Sequence, residues 1–176
     1  MIILMGSVGS GKTEQGSRLQ RRLKCPKIST SQLLREQHKW DSHIKEGRLV
    51  DDQEVISVLE PVLLQTQRES EEFILDGAPR SLAQAQWLVS LIASKQLRLT
   101  AVINLKVSDE TVYKRLSKRG REDDRIEVIK KRLTDYHDIT NPVLEFFNHS
   151  GIKVHEVNGE LPQDEVEVQL IKILSL

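Results

Sequence analysis

The chain has 176 residues, enough for one domain with a sizeable core and too few for two ordinary ones. Lys and Arg number 26 and Asp and Glu number 26, so the net charge is zero and the electrostatic footprint of a general nucleic-acid binder is missing. With 38% hydrophobic and 30% charged residues the composition is that of a soluble globular protein, and no apolar run approaches the roughly 20 residues of a membrane span.

In chain order, short apolar stretches alternate with stretches of helical period, the pattern of an α/β fold with a parallel sheet. Strands are predicted at Ile2 to Met5, Lys27 to Ser29, Phe73 to Leu75, Ala101 to Val107 and Ile152 to Val157. Helices are predicted at Lys12 to Lys24, Ser31 to Trp40, Asp52 to Gln67, Ser81 to Ser94, Asp109 to Lys118, Asp123 to Phe147 and Gln163 to Ile173. Two segments interrupt the rhythm: a helical stretch from Thr30 to Gln67 between adjacent strands, and a charge cluster from Lys118 to Asp124. No repeat or low-complexity linker divides the chain.

The first predicted strand runs into Gly6-Ser7-Val8-Gly9-Ser10-Gly11-Lys12-Thr13, a full match to G-x-x-x-x-G-K-[ST], and a helix follows. Gly6, Gly9 and Gly11 let the backbone N–H groups wrap phosphate oxygens, and Ser10 lies within the same turn. Lys12 supplies a point charge for the β and γ phosphates and Thr13 a hydroxyl for Mg²⁺, while Glu14 stands in the first turn of the helix. Asp76 ends an apolar strand, the place where a carboxylate holds Mg²⁺ directly or through water. The five histidines show no metal-ligand spacing, and Trp40, Trp87, Phe146 and Phe147 read as packing residues. Cys25 has no partner for a disulfide, and Met1 to Met5 lack the basic lead of a signal peptide, so a reducing cytoplasm is the expected compartment.

Beyond the phosphate loop, Ile28-Ser29-Thr30-Ser31-Gln32-Leu33-Leu34-Arg35, Gly47-Arg48-Leu49-Val50-Asp51-Asp52 and Asp76-Gly77-Ala78-Pro79-Arg80-Ser81 with Gln84 resemble successive motifs of the adenylate kinases. So do Arg119-Gly120-Arg121-Glu122-Asp123-Asp124, Arg132, Tyr136, Thr140 and Pro142, in order and at similar spacing over nearly the whole chain. The resemblance implies a three-layer P-loop fold with a five-stranded parallel sheet flanked by helices. It also implies one domain over 1–176: a core of 1–29, 68–117 and 126–176, a helical nucleoside-monophosphate insert at 30–67 and a very short lid at 118–125. It implies a monomeric enzyme that transfers the γ-phosphoryl of ATP to AMP with Mg²⁺, its partners being nucleotides, with no nucleic acid and no membrane.

By position, Thr30, Val50, Gly77 and Gln84 match the AMP site, Arg35 and Arg80 the grip on the AMP phosphate, and Arg119, Arg121 and Arg132 the arginines around the transferring group. With Lys12, the four arginines Arg80, Arg119, Arg121 and Arg132 form the implied catalytic set. Arginine suits this because its planar fork meets phosphate oxygens bidentately. No general base is required, since the acceptor is already an anionic oxygen.

Four features depart from the family pattern. The RG and R-x-D-D elements fuse at Arg119 to Asp124, Thr13-Glu14 replaces Gly-Thr, Ser31-Gln32 replaces Gly-Asp, and Ala78 replaces Phe. Two alternatives stay open from sequence: a kinase of UMP, CMP or another monophosphate, and a nucleotide-binding or ATPase relative with weak transfer. Thr30, Ser81 and Gln84 favour AMP.

Overall fold

In the computed structural model, residues 1–175 are described, with the side chains of Ile44 and Glu122 left aside. Five strands, β1 (Ile2–Gly6), β2 (Lys27–Ser29), β3 (Ile74–Asp76), β4 (Ala101–Lys106) and β5 (Val154–Asn158), form one sheet in the order β2-β3-β1-β4-β5, and every pair is parallel. β1 lies at the centre, with Ile2 in register with both Ile74 and Ala101. Its near-continuous apolar run follows from helices covering both faces.

Alternation along the strands divides the core. Met1, Ile3, Met5, Phe73, Leu75 and Val102 pack on one side, and Ile2, Leu4, Ile74, Ile103 and Leu105 on the other. The first side meets Leu59 and Leu63 of α4 (Asp52–Glu69), Leu88 of α5 (Leu82–Ala93) and Phe147 of α8 (Asn141–His149). The second meets Leu19 of α1 (Lys12–Leu23) and Leu170 of α9 (Gln163–Leu174). A third cluster joins Val112 and Leu116 of α6 (Asp109–Arg119) to Ile129 and Leu133 of α7 (Ile126–Asp135), with Val8 of the phosphate loop against it.

The expected five-stranded, all-parallel sheet flanked by helices is present, with strand ends displaced by one or two residues. Two expected helices are broken. The one expected over Ser31 to Trp40 runs as α2 (Thr30–Glu36), stops at His38 with φ 55°, and is followed by α3 (Asp41–Lys45). The one expected over Asp123 to Phe147 is a 3₁₀ turn at Glu122–Asp124, then α7, a π turn at Tyr136–Thr140 and α8. Pro142 lacks the N–H that would continue the ladder, and the turn before it widens until the Asn141 N–H bonds the Tyr136 carbonyl.

The chain leaves β1 for the far edge of the sheet, returns to β3, and crosses β1 to reach β4. The carboxyl end of β1 is therefore the switch point, the place where open α/β sheets bind ligands.

Candidate active site

The phosphate loop fills that switch point. At Gly6, φ is +138° and an added Cβ would lie 2.5 Å from the Leu105 carbonyl oxygen, so only glycine lets the strand turn there. Gly11, in the left-handed region, forms the N-cap of α1 with no side-chain cap, so the first helical N–H groups remain aimed at the loop. Lys12 Nζ folds back and donates to the Gly6 carbonyl at 2.6 Å, the Ser7 carbonyl at 2.7 Å and Ser10 Oγ at 3.3 Å. Burial pushes its ammonium down to about 8; Asp76 opposes that, while Arg80, Arg132 and Arg119 add to it.

Thr13 Oγ1 donates to Asp76 Oδ2 at 2.9 Å, so the two expected metal residues stand side by side as hard oxygen donors. Among the described residues no group of three or more His, Cys, Asp or Glu could form a metal cage. Such a pair suits an ion that takes its other oxygens from phosphates and water, as Mg²⁺ does.

Beyond the loop, one cavity is lined by seven cations, Lys12, Arg35, Arg48, Arg80, Arg119, Arg121 and Arg132, against three carboxylates, Asp76, Asp123 and Asp135. The excess positive charge selects anions. Arg80 is clamped: its N–H donates to Gln84 Oε1 at 2.8 Å, its carbonyl accepts from Thr140 Oγ1 at 2.9 Å, and its Nε donates to the Gly77 carbonyl at 2.9 Å. Burial, then Arg132, pushes its guanidinium down to about 10. Arg132 is also pushed down by burial, against the pull of Asp123, whose Oδ2 accepts from its Nη1 at 2.7 Å. Three half-buried cations thus crowd together around the carboxylates of Asp76 and Asp123, an arrangement that incoming phosphate relieves.

Arg35 reaches in from the insert. Its Nη2 lies 3.8 Å from Asp123 Oδ2, on the far side of the cavity. Gly47, with φ +67°, allows the approach of insert to α7: a Cβ there would stand 2.8 Å from Val128 Cγ1. Arg119 grips Asp124 through Nε and Nη2 at 2.8 and 2.5 Å, and the Arg121 N–H donates to the same carboxylate at 3.0 Å. Burial works to raise Asp124, but these donors hold it below the usual carboxylate range. Thr30, Val50, Gly77 and Gln84 line the cavity near Arg80, and Thr30 Oγ1 is buried with no partner. Ala78, also on the lining, is buried against the core and its bond to Pro79 is cis.

The structure therefore brings together Gly6, Gly9, Lys12, Thr13, Thr30, Arg35, Val50, Asp76, Gly77, Arg80, Gln84, Arg119, Arg121 and Arg132. Glu14, in the first turn of α1, turns its carboxylate outward and accepts from Arg18 Nε at 3.0 Å, because α9 presents Asp164 and Glu167 to the same arginine. Its side chain plays no part in the phosphate loop. Ser10 is buried within the loop itself. Sequence reasoning gave Arg115 no role beyond standing in for a lid arginine, yet it ties α6 to the loop through the Gly9 carbonyl at 3.2 Å and to the Gly159 carbonyl at 2.7 Å. It gave none to Asp52 beyond starting a helix, yet Oδ1 accepts from Ser81 Oγ and Gln84 Nε2, both at 2.7 Å. No spacing in the sequence signals either contact.

A parallel sheet with a glycine loop at its switch point, and a deep cationic cavity beside that loop, define a nucleotide-phosphate-binding protein with room for a second anion. Comparison with known proteins makes this specific. The family model described as "Adenylate kinase" matches residues 4–152. The chain is 34% identical to "Adenylate kinase" of Porphyromonas gingivalis, covering 98% of this chain and 94% of that one. It is 36% identical to "Adenylate kinase 1" of Nostoc sp., over 96% and 95%, and 40% identical to "Adenylate kinase" of Xanthomonas campestris pv. campestris, over 94% of each. The chain belongs to the adenylate kinase family. Among the described residues no helix is long and apolar enough to cross a membrane.

Proposed function

We propose that the protein is an ATP:AMP phosphotransferase that forms two ADP. The observation that carries this reading is the cluster of half-buried cations Lys12, Arg80 and Arg132 in a cavity that the unpartnered Thr30 hydroxyl and Gln84 also line. The first group fits phosphoryl oxygens from two nucleotides, the second a base.

In this mechanism the loop N–H groups and Lys12 hold the donor phosphates, Lys12 exchanging the Gly6 and Ser7 carbonyls for phosphate oxygens. Arg35 and Arg80 hold the acceptor phosphate in line, Arg80 being fixed at its N–H, its carbonyl and its Nε. Arg119, Arg121 and Arg132 meet the charge on the transferring group, with Asp123 and Asp124 holding Arg132 and Arg119 ready. Mg²⁺, when bound, neutralises the donor's phosphates, and Thr13 with Asp76 are the residues that hold it, directly or through water. Residues 30–67 and 118–125 close over the two nucleotides and exclude water that would otherwise take the phosphoryl group. The enzyme acts as a monomer in the cytoplasm.

The test is calorimetric titration with a bisubstrate analogue, two adenosines bridged by five phosphates. One equivalent bound at least about a hundredfold tighter than ATP supports two correctly spaced sites. Binding no tighter than ATP overturns the reading in favour of a single nucleotide site.

A further inference from the structure

Gln84 is buried in the first turn of α5, and both ends of its amide are engaged from behind the cavity. Oε1 accepts from the Arg80 N–H at 2.8 Å and Nε2 donates to Asp52 Oδ1 at 2.7 Å. A backbone N–H can only donate and a carboxylate only accept, so these partners decide which way the amide faces. Turned over, Gln84 would set Oε1 against Oδ1 and its NH₂ against an N–H, two unmade hydrogen bonds in a buried place.

Neither partner is free to adjust. Arg80 is held at its carbonyl by Thr140 and at its Nε by Gly77. Asp52 opens α4, and the same Oδ1 also accepts from Ser81 Oγ at 2.7 Å. One Nε2 hydrogen and one Oε1 lone pair remain on Gln84, which lines the cavity together with the unpartnered Thr30 hydroxyl.

We propose that Asp52 is a specificity-determining positioning residue, which locks Gln84 in the amide orientation that reads a 6-aminopurine and refuses a 6-oxopurine. The inference rests on the proposed AMP site. Adenine offers an acceptor at N1 beside a donor at its 6-amino group, the complement of the Nε2 hydrogen and Oε1 lone pair that remain. Hypoxanthine and guanine offer a donor at N1 beside an acceptor at O6, which would need the amide turned over. Cytosine carries the same amino edge as adenine, so the lock sorts amino from oxo bases and leaves ring size to the walls of the cavity. Discrimination of this kind is strong because the wrong base leaves buried groups unpaired.

AMP and inosine monophosphate differ at this edge and hardly in size, so the ratio of their kcat/KM values reads the lock. In Asp52→Asn the replacement amide can donate as well as accept, and the ratio of AMP to inosine monophosphate is expected to fall about tenfold. The fall comes through the KM of each acceptor, with kcat for AMP and KM for ATP held. Asp52→Ala, which removes the partner altogether, lowers the ratio at least as far. A merely structural role would depress both acceptors together, so an unchanged ratio in both variants overturns the inference whatever happens to the overall rate. A wild-type enzyme that takes inosine monophosphate as well as AMP also overturns it and leaves the kinase reading intact. A wild-type protein that phosphorylates neither overturns the kinase reading instead, before any variant is made.

Discussion

The hydroxyl of Thr13 and the carboxylate of Asp76 are hydrogen-bonded at 2.9 Å, although 63 positions separate them in the chain. The parallel pairing of β1 with β3 causes this, because it brings the strand ends that carry the phosphate loop and Asp76 to the same edge of the sheet. Thr13→Ala leaves Asp76 in place and removes one oxygen. The Mg²⁺ concentration for half-maximal ADP formation is expected to rise about tenfold, with the rate at saturating Mg²⁺ largely kept. A Mg²⁺ titration at fixed ATP and AMP checks this.

Arg80 is held at its N–H, its carbonyl and its Nε, and its charge faces the proposed junction of the two nucleotides. Arg80→Ala is expected to lower kcat/KM by about 10³-fold or more, and Arg80→Lys to recover little, because an ammonium cannot reproduce the planar fork. Steady-state kinetics with AMP varied at saturating ATP measures it. An undiminished kcat/KM would remove Arg80 from the mechanism.

The depressed Lys12 ammonium gives a pH signature. Its proton leaves the folded protein near pH 8, well below the ordinary lysine value of 10.5. Between these values the unfolded chain binds more protons, so the contribution of Lys12 to stability rises with pH across that window. ATP binding runs the opposite way, because phosphate requires the charged form. Above about pH 8 the Kd for ATP is expected to weaken with a slope approaching tenfold per pH unit, and Asp76→Asn, which removes the opposing charge, moves the onset lower. Titrations of ATP binding from pH 7 upward, with Lys12→Arg as the flat comparison, check both.

Gly47 carries the approach of the insert to α7. Gly47→Ala puts a Cβ 2.8 Å from Val128 Cγ1 and 3.1 Å from Arg132 Cγ at a φ of +67°. The expected loss is about 1–3 kcal/mol of unfolding free energy, read by urea denaturation. It brings a lower kcat, since Arg132, which meets the transferring group, is displaced with it.

Most of the scaffold was legible because local signals agreed with the global fold. The apolar run of β1, the glycine loop after it and the cap at Ser81 each follow from residues within a few positions. The breaks were less legible. Pro142 was visible, but the widening to a π turn before it depends on the whole stretch around Tyr136, and the stop at His38 uses a residue with no strong turn preference. In the site, residues within motifs were found, while Asp52 and Arg115 act across elements 32 and 106 positions apart in sequence, contacts that only the packing of α4 on α5 and of α6 on the loop creates. The outward turn of Glu14 was not legible for the same reason: the arginine that draws it outward is itself placed by α9.

The central claim is phosphoryl transfer between ATP and AMP, and the most direct measurement follows ATP consumption with Mg²⁺, first without acceptor and then with AMP, CMP, UMP, GMP and dAMP in turn, resolving every nucleotide product. The account predicts two ADP for each ATP consumed with AMP, slower use of the other acceptors, and little phosphate release without one. Hydrolysis independent of acceptor, or faster transfer to UMP or GMP than to AMP, would contradict it.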